Sequence, residues 1–153
     1  MLPNFLRIDG VAVAIDGQAI LLRGPSGSGR SDLALRLVDE SAKLISDEQV
    51  ELRRDAGRLL VGMPAVMPPA LKGVIEVRGL GLVGVPHVDE FVPLAWVIDM
   101  ARAVDIERMP KAETAEYLGV CVPCLKMDPF TVSATAKLRL AVRSGAGHIL
   151  GRE

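Results

Sequence analysis

Apolar positions in this chain come in short runs separated by turn signals, a rhythm that predicts many strands and few helices. Val11 to Ile15 and Ala19 to Leu22 are two such runs, joined through Asp16-Gly17, a strong hairpin signal. The pattern then changes period. From about Ser31 to Glu40, Leu33, Ala34, Leu37 and Val38 fall on one face of a helix, with Asp32 and Arg36 as an i,i+4 pair on the other. Lys43 to Ser46 reads as a short strand ending at Asp47-Glu48. Gln49 to Arg53 and Leu59 to Val61 read as a hairpin around Asp55-Ala56-Gly57. Met63 to Leu71 carries prolines and no periodicity, which predicts a loop.

Gly73 to Val77 follows as a strand, and the two glycines of Arg78-Gly79-Leu80-Gly81 suggest a close turn. Leu94 to Asp99 is the most apolar strand and is expected at the centre of a sheet. Ala101 to Ala115 is charged and broken by Pro110, which suggests a mobile segment. Val122 to Met127 is a further strand and Ser133 to Val142 a closing helix. No repeat, low-complexity stretch or linker interrupts residues 1–153, so a single domain is expected. The class is α/β, a mixed, strand-rich sheet with few helices. A regular doubly wound fold would show more crossover helices.

Composition narrows the partners. Half of the 153 residues are hydrophobic but only five are aromatic, so the core must be aliphatic. The formal charge of −1 offers no general attraction to nucleic acid or anionic membrane, and scarce aromatics argue against base stacking. No apolar run reaches the roughly 18 residues of a membrane span, and no basic and apolar leader opens the chain. A soluble, cytoplasmic protein is the expectation.

The stretch with the most chemistry is Gly24-Pro25-Ser26-Gly27-Ser28-Gly29-Arg30-Ser31. A strand precedes it and a helix follows, the context that makes a glycine pattern a phosphate cradle. Its backbone N–H groups and the first helical turn would converge where an anion is favoured. Only Gly27 and Gly29 are expected to need special backbone freedom, because side chains there would block the phosphates. Ser31 would face a magnesium ion. The motif calls for lysine where this chain has Arg30, whose planar fork is bulkier and prefers bidentate contacts. A Gly/Ser turn without a ligand would leave similar letters.

Phosphoryl transfer also needs hard oxygens for a metal and a group to take the acceptor's proton. Asp47 and Glu48 end a strand where carboxylates can face the phosphates, although a solvated acidic turn reads the same way. Glu76 interrupts the apolar strand Val74-Ile75-Glu76-Val77 and must face water, a metal or a partner charge. Arg78, two positions on, points to the same side, so a structural Glu–Arg pair is the plainer account. Cys121-Val122-Pro123-Cys124 invites a redox reading, but it lies in an extended segment rather than at a strand-to-helix turn. Zinc would need two more ligands, with only His87 and His148 at hand, so structural thiols are expected.

With these residues in view, the chain resembles the catalytic domain of bacterial HPr kinase/phosphorylase. The likeness rests on Gly24 to Leu37, Leu44 to Val50 and, most specifically, Ile75-Glu76-Val77-Arg78-Gly79-Leu80-Gly81-Leu82. Leu118 to Leu140, with Leu125-Lys126-Met127-Asp128-Pro129-Phe130, resembles the tail of the family's short, single-domain form. The resemblance implies a P-loop fold that phosphorylates a serine of an HPr-like phosphocarrier protein with ATP or pyrophosphate and magnesium, and can reverse this by phosphorolysis. It implies a homo-oligomer, a hexamer in the family. It further implies Gly24 to Ser31 as the nucleotide site, Asp47 as the base, Ser31 and Glu76 at the metal, and Arg78 in the phosphorolysis segment. The closing helix, with the apolar stripe Ala134, Leu138 and Ala141 and with Lys137, Arg139 and Arg143 around it, would take part in a subunit or partner contact, unless it is a terminal helix docked on its own core.

Four departures from the family cluster on that chemistry. Arg30 replaces the lysine, Asp9 stands where a histidine is usual, Glu48 replaces a second aspartate and Gln49 an arginine. An Asp9 carboxylate near Asp47 would raise one of the two pKa values. Three functions remain open: a retuned or impaired kinase of this type, a noncatalytic module that binds nucleotide or a partner, or a kinase for a different small molecule or protein.

Overall fold

Unbroken apolar runs in strands imply burial on both faces, and the computed structural model, which describes residues 3–149, builds its centre that way. Strands β1 (Phe5–Asp9), β2 (Val11–Ile15), β3 (Gln18–Arg23), β4 (Lys43–Ser46), β5 (Gln49–Asp55) and β6 (Arg58–Gly62) surround the first helix, α1 (Arg30–Asp39), in the chain. They are followed by β7 (Val74–Val77), β8 (Gly81–Gly84), β9 (Val92–Met100), β10 (Glu113–Tyr117), β11 (Val120–Met127) and helix α2 (Ala134–Ser144). Nine strands form one mixed sheet along the path β1-β5-β6-β9-β3-β2-β4, with β11 beside β9 and β10 beyond it; β7 and β8 form a separate hairpin.

Strand β9 is central, as its composition suggested. It runs parallel to β3 and β11, while its first residues pair antiparallel with β6. Alternate residues of the central strands feed two cores. Val11, Val13, Ile20, Leu22, Trp96 and Ile98 meet the two helices, while Ala12, Ala14, Leu21 and Val97 meet β5, β6 and β11. Trp96 also donates its indole N–H to the Ala141 carbonyl at 3.1 Å, fixing α2 to the sheet. Burying a side chain of this kind contributes about 2–3 kcal/mol.

Turn chemistry was legible. Asp16 and Gly17 both adopt positive φ (51° and 76°), as do Ala56 and Gly57 (51° and 77°), the geometry of tight antiparallel hairpins. Three strands lie outside the sequence expectation. β1 alternates half-buried and exposed residues and, among the described residues, pairs with β5 alone. β8 continues the hairpin past the turn at Gly79. β10 occupies the end of the charged segment thought mobile; only its Ala115 is buried, so an edge strand looks polar in sequence. That segment is also held near its start, where Ala101 N–H bonds the Met127 carbonyl at 2.9 Å.

The apolar stripe of α2 docks on its own chain, the second of the two readings open to it. Ala134, Leu138 and Ala141 face the protein's own core, and Arg139 pairs with Glu40 on α1's end at 2.8 Å. Among the described residues no helix is long and apolar enough to cross a membrane.

Candidate phosphate site

The chain leaves β3 at Arg23, turns through the glycine loop and enters α1 at Arg30. Gly29 caps that helix in a left-handed conformation, φ 101°, and no side chain caps it. The first amides of the helix are therefore left for a ligand, where the dipole favours an anion. A Cβ on Gly29 would lie 2.8 Å from the Pro129 and Phe130 side chains, which lean over the loop. Gly27 also needs its positive φ of 85°. Gly24 belongs with them, contrary to expectation. Its φ is 152°, and a Cβ there would meet Ser28 Oγ at 2.7 Å and Met100 at 3.0 Å. The physical reason is packing beneath the loop, which the motif does not reveal.

Ser31 donates its hydroxyl hydrogen to Asp47 Oδ1 at 2.9 Å. The other oxygen of Asp47 accepts the Glu76 backbone N–H at 3.1 Å. Asp47, at the end of β4, is thus aimed at the helix start by β7, which itself packs on α1 through buried Ile75. Glu48 follows with a positive φ of 70°, and its carbonyl accepts the Gly10 N–H at 2.9 Å. Burial raises the Glu48 pKa above the ordinary carboxylate value; the charge of Asp47, a hydrogen bond and charge from Glu76, and the charge of Asp9 add to it. Asp47 is half-buried, while Glu48, Glu76 and Asp9 are exposed close to it.

Arg30 does not extend along the cradle. Its side chain is only 10% exposed, and Nη1 meets Asp9 Oδ2 at 3.0 Å. Asp9 answers Arg30, and its charge and that of Asp47 both bear on Glu48. Asp9 and Gln49 are register partners in β1 and β5, so the four unusual positions do share one neighbourhood. Glu76 and Arg78 form no ion pair with each other among the described residues. The tight turn after β7 carries Arg78 out of the strand's register, and the Glu76 carboxyl faces Glu48 instead.

Two features escaped the sequence. Arg36 of α1 donates to the Pro129 carbonyl, tying the helix to the segment over the loop. Arg23 grips Asp99 with two bonds, at 2.7 and 2.8 Å. Neither has a local signal, since both join distant parts of the chain. Cys124 is buried and donates to Asp99 Oδ2 at 3.3 Å, whereas Cys121 is exposed on the other side of β11. Residues three apart on a strand face opposite ways, which separates the two thiols.

Among the described residues no three acidic, histidine or cysteine side chains form a metal cage. Magnesium does not need one. It is held by one or two protein oxygens together with substrate phosphates, and the Ser31 hydroxyl beside the Asp47 carboxylate fits that requirement.

Residues 2–139 match the family model described as the HPr serine kinase C-terminal domain. The HPr kinase/phosphorylase of Shouchella clausii is 42% identical over 138 residues, covering 90% of this chain and 43% of that protein. The HPr kinase/phosphorylase of Clostridium tetani is 31% identical over 114 residues, covering 74% of this chain and 36% of its own length. The chain therefore spans less than half of these relatives. The solved Hpr(Ser) kinase/phosphatase from Coxiella burnetii superposes with a TM-score of 0.75 at 22% identity, over 90% of this chain and 88% of the other, which supports the fold.

Proposed function

The chain belongs to the HPr serine kinase C-terminal domain family, and from that premise we propose that it transfers phosphate to a serine hydroxyl of an HPr-like phosphocarrier protein. ATP is the donor in this reading. The amides of Gly27 to Ser31 hold the phosphates, and the Asp47 carboxylate takes the serine proton as the serine oxygen attacks the terminal phosphorus. The bond from that phosphorus to ADP breaks, and ADP leaves. Ser31, with Glu76 nearby, would hold magnesium, which when bound offsets the negative charge of the phosphates and leaves Asp47 as the base. Asp47 serves as the acid in the reverse direction, and Arg78 lies in the turn assigned to phosphorolysis. A homo-oligomer, as the family likeness implies, completes the proposal.

The observation that carries this reading is the placement of Asp47. Its two oxygens bridge the Ser31 hydroxyl and the Glu76 amide beside an uncapped helix start. A positioned base contributes about 10²- to 10⁴-fold to such a step. Radiolabelled transfer from ATP to HPr should therefore be measurable in the wild type and fall by about 100-fold or more in Asp47→Asn. Transfer that survives this substitution would remove Asp47 from the role.

One observation favours the noncatalytic alternative: Arg30 is engaged by Asp9 rather than free for phosphate. In that case ATP binds but transfer stays at background. Arg30→Lys together with Asp9→His and Glu48→Asp should then restore more than the separate changes combined, because residues acting as a unit are not additive.

A further inference from the structure

We infer that Asp9 is a positioning residue that stands in for a phosphate: its carboxylate holds the Arg30 guanidinium, and a di- or triphosphate entering the loop takes Arg30 in exchange. The inference rests on the phosphate-binding reading of the loop and adds what sets its affinity.

Arg30 opens α1, next to the amides that an anion would meet, and its nearly buried side chain needs an anionic partner. Asp9 meets it through a single contact, Nη1 to Oδ2 at 3.0 Å. The carboxylate itself is 69% exposed, so water can solvate it as soon as the arginine leaves. A phosphate offers the guanidinium fork two parallel bonds where Asp9 supplies one, so exchange favours the incoming ligand on the arginine side too. The loop also contains an unmet group. Ser28 Oγ is buried with no hydrogen-bond partner among the described residues, as expected of a loop whose bonding is completed by something else. Asp9 thus competes with phosphate from within the chain and weakens its binding. The two unusual residues form one device, since Arg30 without Asp9 would leave a nearly buried cation unanswered.

Calorimetric titration with magnesium pyrophosphate tests this on five forms of the 153-residue chain: wild type, Asp9→Asn, Asp9→Glu, Arg30→Gln and the Asp9→Asn/Arg30→Gln double variant. Asp9→Asn should bind about five- to tenfold more tightly than wild type, and Asp9→Glu, which keeps the carboxylate, should return toward wild type. In the Arg30→Gln background the gain from Asp9→Asn should shrink to within about twofold, the signature of direct coupling. A gain of equal size in both backgrounds would show only the loss of a nearby negative charge and overturn the inference. So would unchanged affinity in Asp9→Asn, with the phosphate-binding reading left standing. No heat from any of the five proteins would remove that reading and the inference together. Thermal melting of each variant confirms folding, and should Asp9→Asn not fold, Asp9→Ser takes its place in the cycle.

Discussion

Arg23 and Arg30 flank the phosphate loop and each faces an aspartate, yet the two pairs are built for different ends. Arg23 engages both oxygens of Asp99, at 2.7 and 2.8 Å, and donates a third bond to the Tyr117 hydroxyl at 2.9 Å. Asp99 also accepts from Cys124. The cluster joins β3, β9, β10 and β11, so it locks the parallel strands together. Burial alone would raise the Asp99 carboxyl, but the hydrogen bonds of Arg23 and Cys124 and the charge of Arg23 overcome it and hold the group below its ordinary value. Arg30 makes one contact with an exposed partner. Multiple satisfied bonds fix a geometry, whereas a single exposed one can be traded for a ligand's.

The largest difference between the pairs should appear in stability. Asp99→Ala leaves a half-buried guanidinium and thiol without their shared acceptor, and should cost about 1–2 kcal/mol after allowing for partial exposure. Asp9→Ala unpairs Arg30 but also lets water reach it through the space of the exposed carboxylate, so it should cost less, about 0.5–1 kcal/mol. Urea midpoints measure both, and equal losses would erase the distinction. The Asp99 cost should also depend on pH. Its depressed pKa contributes stability that is present above the unfolded carboxylate value and lost as pH falls through the folded one, so the two proteins should converge in acid.

A finer test uses Cys124 as reporter. Burial first, then the charge and hydrogen bond of Asp99, push its thiol up to about 11, with Arg23 opposing. In a Cys121→Ser background, Asp99→Ala should bring the thiolate titration, followed by ultraviolet absorbance, to lower pH, while Asp9→Ala leaves it in place. A shift in both would mean that the two clusters are not separate.

The smallest effect belongs to Glu48. Its raised pKa means that its favourable contribution is present below the unfolded value and lost as pH rises through the folded one. Glu48→Gln should therefore stabilise the protein near neutral pH by about 0.5 kcal/mol or less, with the gain vanishing in acid. Destabilisation at neutral pH would show that Glu48 supports the fold rather than crowding a ligand site.

Much of the site was visible before folding was considered. The glycine loop, its strand and its helix form one continuous stretch, and Asp47 ends the next strand. Their meeting was only implied: the Ser31–Asp47 bond and the Glu76 amide on Asp47 close over sixteen and twenty-nine positions of chain. Phe130 over Gly29 and the Arg23–Asp99 grip left no local trace at all. Arg30 and Asp9 were each conspicuous, but nothing in their spacing identified them as partners.

The sequence by itself determined the local shapes. Asp16-Gly17 and Ala56-Gly57 impose tight turns through their backbone preferences, the apolar runs of β2, β3 and β9 demand burial on both faces, and leucine spacing makes α1 a helix. Tertiary structure decided what those shapes meet. It turned the Ala134, Leu138 and Ala141 stripe inward, made β1 and the polar β10 into edge strands, and sent Arg30 to Asp9 instead of along the phosphate cradle. The reason is that periodicity reports how neighbouring residues share a face, a local steric property. Which charge answers which depends on the sheet order, and that is fixed only when distant strands pair.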